Sequence, residues 1–209
     1  MKWVMWAGIM GLFMAGVTVT WALTLSGGLP AAVYLYEGGR LLALLGFVIL
    51  CFQYLWVSKI RFVEVGIAAG RLLTLHRRCG VFAMALLALH PMAIIVSERL
   101  QGYSAPMGPL KTMGVIALVL LLGAGGAALF SRKLHLPYRT WKGIHRLAYG
   151  VFPLAFAHSF LLGATLQKMA VKAVWTVLAL IYLVHLLQRV LRRSPQRRLR
   201  AEGITKKVK

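Results

Sequence analysis

The sequence predicts an all-α integral membrane protein, a bundle of six transmembrane helices. Three observations carry this expectation. The 209 residues have a mean hydropathy of +0.76 and are 60% hydrophobic, whereas a soluble domain sits nearer ~45–50% apolar. Six apolar segments recur, at about 3–25, 41–57, 73–96, 113–130, 144–162 and 174–191, against the roughly 20 residues that a spanning helix needs. The charge is lopsided: 25 Lys and Arg stand against four acids, Glu37, Glu64, Glu98 and Glu202. Those bases lie between the apolar runs. A nucleic-acid binder sets its bases on an ordinary globular body, so the expected partner is the membrane and not nucleic acid.

Each segment has its own signature. The first, "MKWVMWAGIMGLFMAGVTVTWALTLSGG", opens like a signal peptide. Its apolar run is about twice the usual 7 to 15 residues, which favours a retained helix. The connections carry helix breakers: "SGGLPAAVYLYEGG" between helices one and two, "SERLQGYSAPMGPLK" between three and four, "SRKLHLPYRTWKG" between four and five. Gly, Pro and Ser free or restrict the backbone there. Cys51 and Cys79 fall in or beside apolar segments with no CxxC, so neither a disulfide framework nor a zinc site is supported.

The bases orient the bundle. With the N-terminus inside, 20 of the 25 bases fall on the cytoplasmic side and 5 outside, namely Arg40, Arg99, Lys111, Lys168 and Lys172. That asymmetry follows the positive-inside rule. The expectation is a multi-pass protein of the cell (inner) membrane with both termini cytoplasmic. Residues 1–192 form the transmembrane domain. Residues 193–209 form a basic tail or linker, with a Ser-Pro break, suited to anionic lipid.

Four of the six histidines form two pairs. His76 and His90 are 14 residues apart in the third segment, and His145 and His158 are 13 apart in the fifth. His135 in a loop and His185 in the last segment read as structural. Helices three and five run the same way, so His76 and His145 share the inner level and His90 and His158 the outer. A rise of about 1.5 Å per residue separates the levels by roughly 20 Å. One imidazole from each helix at each level suits two planar ligands stacked across the bilayer, and haem takes an imidazole on each face. Intramembrane ionisable groups are costly and mark function. A proton relay is the rival, but relays recruit Asp or Glu, and neither lies in the apolar cores of these helices.

Fourteen steps of about 100° return to within roughly 40°, so His76 and His90 share a face, whereas 13 steps leave His145 and His158 about 140° apart on a straight helix. Pro153 lies between them, and a proline kinks a helix. A bend or wide turn near Pro153 is therefore expected to bring both imidazoles to one side. Phe82, Phe152 and Phe156 fall between the levels, as core packing or as a stepping-stone between haems.

The run from about 39 to 192 resembles the ferric reductase-like transmembrane domain shared by NADPH oxidases, ferric reductases and, more distantly, MsrQ-type haem subunits. The matching residues are Arg40 with Gln53, "LHRRCG" at 75–80, "LALHP" at 87–91, "YRTWKGIHRLAY" at 138–149 and "AHS" at 157–159. The resemblance implies two stacked b-type haems, the inner ligated by His76 and His145 and the outer by His90 and His158. It implies electrons passing from a cytosolic flavin, through both haems, to an external acceptor: ferric iron, oxygen or quinone. The MsrQ branch lacks a histidine at the position of His76, so the one here favours the oxidase and ferric-reductase side. FAD and NAD(P)H are expected on a partner or a missing C-terminal domain, since "GAGGAA" at 123–128 lies inside an apolar helix, where small residues serve packing. Arg77, Arg78, Arg139 and Arg146 are the expected propionate partners, because arginine pairs bidentately with carboxylates. Arg99, Lys111 and Gln101 are placed to guide an anionic acceptor. Two other function classes stay open: a histidine-based transporter or proton channel, and a haem-bearing anchor subunit of a reductase complex.

Overall fold

The computed structural model describes residues 2–57 and 69–201, and these are helical between short connections. In chain order they form α1 (Lys2–Ala22), α2 (Ala31–Trp56), α3 (Ala69–Leu100), α4 (Pro109–Phe130), α5 (Tyr138–His145), α6 (Ala148–Leu162), a 3-10 turn (Ala164–Gln167) and α7 (Met169–Ala201). Five stretches are long and apolar enough to cross a membrane: Met5–Ala22, Ala31–Trp56, Gly70–Leu100, Pro109–Phe130 and Met169–Leu191. The protein is a multi-pass membrane protein. Lys59 and Arg61, assigned to the inner side by sequence, lie outside the described residues, as do Glu64 and Glu202.

Prolines set several starts. Pro109 opens α4 at its first turn, and Pro30 and Pro137 precede α2 and α5. A proline costs no hydrogen bond there, because the first-turn donors are unpaired anyway. The Ser-Pro step at 194–195 does not break α7, which runs on to Ala201.

The second helix is the hub. Phe47 to Trp56 is buried at every position, with α1, α3, α6 and α7 packed around it. A helix buried on all sides must be apolar all round, and "FVILCFQYLW" is, apart from Gln53 and the hydroxyl of Tyr54. The outer helices turn large apolar side chains outward, among them Leu12, Leu73, Val119 and Leu187. In a bilayer such faces meet lipid, and the backbone polar groups are satisfied within the helices. Two pairings dominate: α2 lies along α3, and α4 lies along α6. The third and sixth helices scarcely touch each other.

The fifth apolar segment differs from expectation. It is not one helix bent at Pro153. The helical run stops at His145 and resumes at Ala148, and Pro153 sits inside α6. Across the interruption the bonds shorten to the i→i−3 pattern: Leu147 N–H to Ile144 O at 2.9 Å, Tyr149 N–H to Arg146 O at 3.0 Å and Gly150 N–H to Leu147 O at 2.9 Å. Tighter winding of this kind is common at helix ends. Pro153 cannot supply the N–H that the Tyr149 carbonyl would receive in a regular helix. The Tyr182 hydroxyl of α7 donates to that carbonyl instead, at 2.8 Å. The Tyr54 hydroxyl of α2 donates to the adjoining Ala148 carbonyl at 2.5 Å. Side chains from two neighbouring helices thus satisfy the joint, and the change of direction falls before the proline.

Candidate functional site: two facing histidine pairs

The histidines meet as two pairs. The His76 and His145 ring centres are 6.2 Å apart with planes at 89°, and those of His90 and His158 are 6.5 Å apart at 62°. Among the described residues, no three of His, Cys, Asp and Glu gather into a metal-binding cluster. The donor set is therefore two imidazoles at each of two levels.

Three rings are fixed by main-chain carbonyls. His90 Nδ1–H donates to Gly39 O at 2.9 Å, His145 Nδ1–H to Ala124 O at 3.1 Å and His158 Nδ1–H to Leu110 O at 2.7 Å. A carbonyl can only accept, so each Nδ1 carries the proton and each Nε2 keeps its lone pair for a metal. This is the outer contact that orients metal-bound histidines generally. It also ties each ring to the helix packed beside it: His90 of α3 to α2, and His145 and His158 to α4. The fourth ring differs, for His76 Nδ1 is buried without a hydrogen-bond partner.

Two glycines make these seats possible. A Cβ on Gly114 would stand 2.8 Å from His158 Cε1 and Nδ1. A Cβ on Gly39 would stand 2.9 Å from Ala93 Cβ and 3.3 Å from the His90 carbonyl. Either would collide with an atom that has nowhere to go.

The pairs fit a haem held by two imidazoles. Metal–nitrogen bonds of about 2 Å, plus the two half-rings, would put the imidazole centres about 6 Å apart, near the observed separations. The Nε2 atoms of His90, His145 and His158 would be available as donors.

Other sequence-predicted residues fall as follows. Arg77, Arg78, Arg139 and Arg146 are exposed at the His76–His145 end. Among the described residues the ion pairs are Arg40–Glu37 at 2.6 Å and Lys111–Glu98 at 3.6 Å, both at the opposite end. Arg40 also donates to the buried Thr165 hydroxyl. Lys111 is thus engaged by Glu98 and by Ala105 O at 3.2 Å, and Gln101 Nε2 binds Ser97 Oγ at 2.9 Å. Both thus have partners within the protein. Phe82 is 55% exposed and points out of the core, whereas Phe152 is buried. Phe152 begins a column: Tyr182 stacks on it at 4.1 Å, Phe156 at 5.7 Å, and Phe160 follows Phe156 at 5.2 Å.

Sequence reasoning missed a cluster around Tyr149. The buried His185 stacks on its ring at 5.9 Å, with Nε2 3.4 Å from the hydroxyl. Arg189 donates to the same hydroxyl and lies 4.3 Å over the ring. The i, i+4 spacing of His185 and Arg189 was the available signal. Trp141 was missed too; it stacks on His145 at 5.8 Å and 11°.

The profile of the ferric reductase like transmembrane component matches residues 42–156, more than half of the chain. The chain belongs to that family. The matched span includes His76, His90 and His145 and stops two residues before His158. A curated relative, the heme-binding subunit MsrQ of protein-methionine-sulfoxide reductase from Caulobacter vibrioides, is 28% identical over 97 residues. The match covers 44% of this chain and 46% of the relative, so the chain spans about half the length of that protein. That relative is of the MsrQ type, the branch to which the sequence resemblance was the more distant. No solved structure matches the chain.

Proposed function

We propose that this ferric reductase-like chain is the membrane electron-transfer component of an oxidoreductase. It takes electrons from a cytosolic flavin and NAD(P)H donor and delivers them to an acceptor on the outer face, of the class of ferric iron, oxygen or quinone. Two b-type haems are the cofactors, one between His76 and His145 and one between His90 and His158. The observation that carries this reading is the paired geometry: imidazole centres 6.2 and 6.5 Å apart, with three of four Nδ1–H groups already committed to carbonyls.

Bound there, haem would supply reversible one-electron chemistry. The chain's own residues do the rest. His76 with His145 and His90 with His158 would hold the two haems, and electrons would reach an acceptor by outer-sphere transfer. The carbonyls of Gly39, Ala124 and Leu110 hold the rings, Gly114 leaves room for the His158 ring, and Gly39 lets α2 approach α3 closely. Arg77, Arg78, Arg139 and Arg146, without carboxylate partners among the described residues, serve the propionates of the first haem. The basic asymmetry supports a first pair on the cytoplasmic side of the cell membrane, with residues 1–192 as the haem domain and 193–209 as a basic cytoplasmic tail or linker. The Caulobacter relative is a heme-binding subunit, which supports a separate reductase partner that carries the flavin.

The test is a reduced-minus-oxidised visible spectrum of the purified protein after expression with ample haem. A low-spin b-type spectrum is expected. A colourless protein that carries protons across vesicles would instead favour the histidine-channel reading.

A further inference from the structure

The four histidines are not held alike, and the exception has a counterpart. Among the described residues, four buried side-chain atoms have no hydrogen-bond partner: His76 Nδ1, Trp56 Nε1, Trp141 Nε1 and Gln53 Oε1. Both tryptophan nitrogens are donors, and so is His76 Nδ1 when Nε2 is kept for a metal. Gln53 Oε1 is the single acceptor. Gln53 is 7% exposed, in the middle of the hub helix. Its amide nitrogen reaches only Ile49 O at 3.4 Å, beyond the ~2.7–3.2 Å of a good N–H···O bond. The carboxamide is buried, and its oxygen is unclaimed.

Gln53 also stands in the right place. Its main-chain carbonyl lies beside the His76 ring, out of hydrogen-bonding geometry. Its Oε1 lies 3.4 Å from where a Cβ on Gly80 would be, and Gly80 is one turn beyond His76 on the same face of α3. A buried donor and a buried acceptor left apart cost about 1–3 kcal/mol each.

We propose that Gln53 is the positioning residue for His76. Its side-chain carbonyl accepts the Nδ1–H and turns Nε2 to the iron, as main-chain carbonyls do for the other three rings. The inference rests on the haem reading above. An acceptor on the far nitrogen of a metal-bound imidazole raises that ligand's basicity and so favours the ferric state. Three of the four contacts use main-chain oxygens that no substitution removes. This one uses a side chain, so one residue sets the potential of one haem.

The test is a spectroelectrochemical titration of the purified holoprotein, with haem content measured alongside. The variants are Gln53→Leu, Gln53→Glu, His76→Leu and, as a control for the neighbouring orphan donor, Trp56→Phe. Wild type is expected to show two waves of equal amplitude, and the wave lost in His76→Leu belongs to the first pair. Gln53→Leu should raise that wave, Gln53→Glu should lower it, and Trp56→Phe should move neither. Loss of one haem from Gln53→Leu, with retention in Gln53→Glu, supports the proposal equally. Two wild-type waves that ignore both Gln53 variants, or that move together, overturn it alone. So does loss of both haems from both variants, because a residue that positions only His76 cannot empty the second site. Fewer than two waves in wild type overturns the functional reading, and this inference with it.

Discussion

The two histidine pairs have nearly equal separations and unequal support. At the His90–His158 level both rings sit on uninterrupted helices, both Nδ1–H groups reach main-chain carbonyls, Gly114 leaves room for the His158 ring, and Gly39 lets α2 close on α3. Two of the flanking bases there are paired, Arg40 with Glu37 and Lys111 with Glu98. At the His76–His145 level, one ring ends a helix of eight residues, the other lacks an Nδ1 partner, and the surrounding arginines are exposed. The second pair is held at both rings by main-chain carbonyls, the first at His145 alone. Main-chain supports tolerate few substitutions but cannot be tuned; side-chain supports can. Pre-organisation by a rigid second shell is what places a ligand accurately, so the second pair should bind its haem the more tightly.

The largest effects should come from removing a ligand. His90→Leu or His158→Leu should lose about half of the haem and leave the first-pair wave unchanged, read by haem assay and redox titration. Equal damage to both waves would break the distinction between the sites. Next comes Gly114→Ala. The new methyl would overlap the His158 ring, so this variant should mimic His158→Leu in haem content with every ligand still present. Gly123→Ala, whose Cβ meets nothing within 4 Å, should be silent. An unaffected Gly114→Ala would show that the second seat is looser than described.

Tyr182→Phe is a smaller test. It strands the Tyr149 carbonyl that Pro153 leaves open, and a buried unpaired acceptor costs about 1–3 kcal/mol. A lowered thermal midpoint in detergent, with haem content retained, is the expected result. Smallest is Phe156→Leu, which breaks the ring column between the levels. A slowing of inter-haem transfer by less than about tenfold, or about 1.4 kcal/mol of barrier, should appear in flash or stopped-flow kinetics. An unchanged rate would leave Phe152 and Phe156 as packing alone.

The sequence made part of this legible. The long apolar helices announce themselves, and the 14- and 13-residue spacings single out four of six histidines before any coordinate is known. The break at Arg146–Leu147 was not readable, because it depends on tyrosines from α2 and α7 that meet the chain only in the fold. Pro153 was the sole local signal, and it pointed several residues too far. The carbonyl seats were hidden for another reason. Main-chain acceptors leave no residue type in the sequence, and only Gly39 and Gly114 betray them. The contacts of Lys111 with Glu98 and of Gln101 with Ser97 were likewise visible only in the fold. His185 looked solitary because Tyr149 is 36 residues away.

The central claim is that two imidazole pairs hold two haems in one chain. A pyridine haemochrome assay against protein concentration tests it most directly, on wild type and on four single variants: His76→Leu, His90→Leu, His145→Leu and His158→Leu. The account expects two haem b per wild-type chain and about one in each variant. Four variants that all keep both haems, or a wild type that carries none, would contradict it.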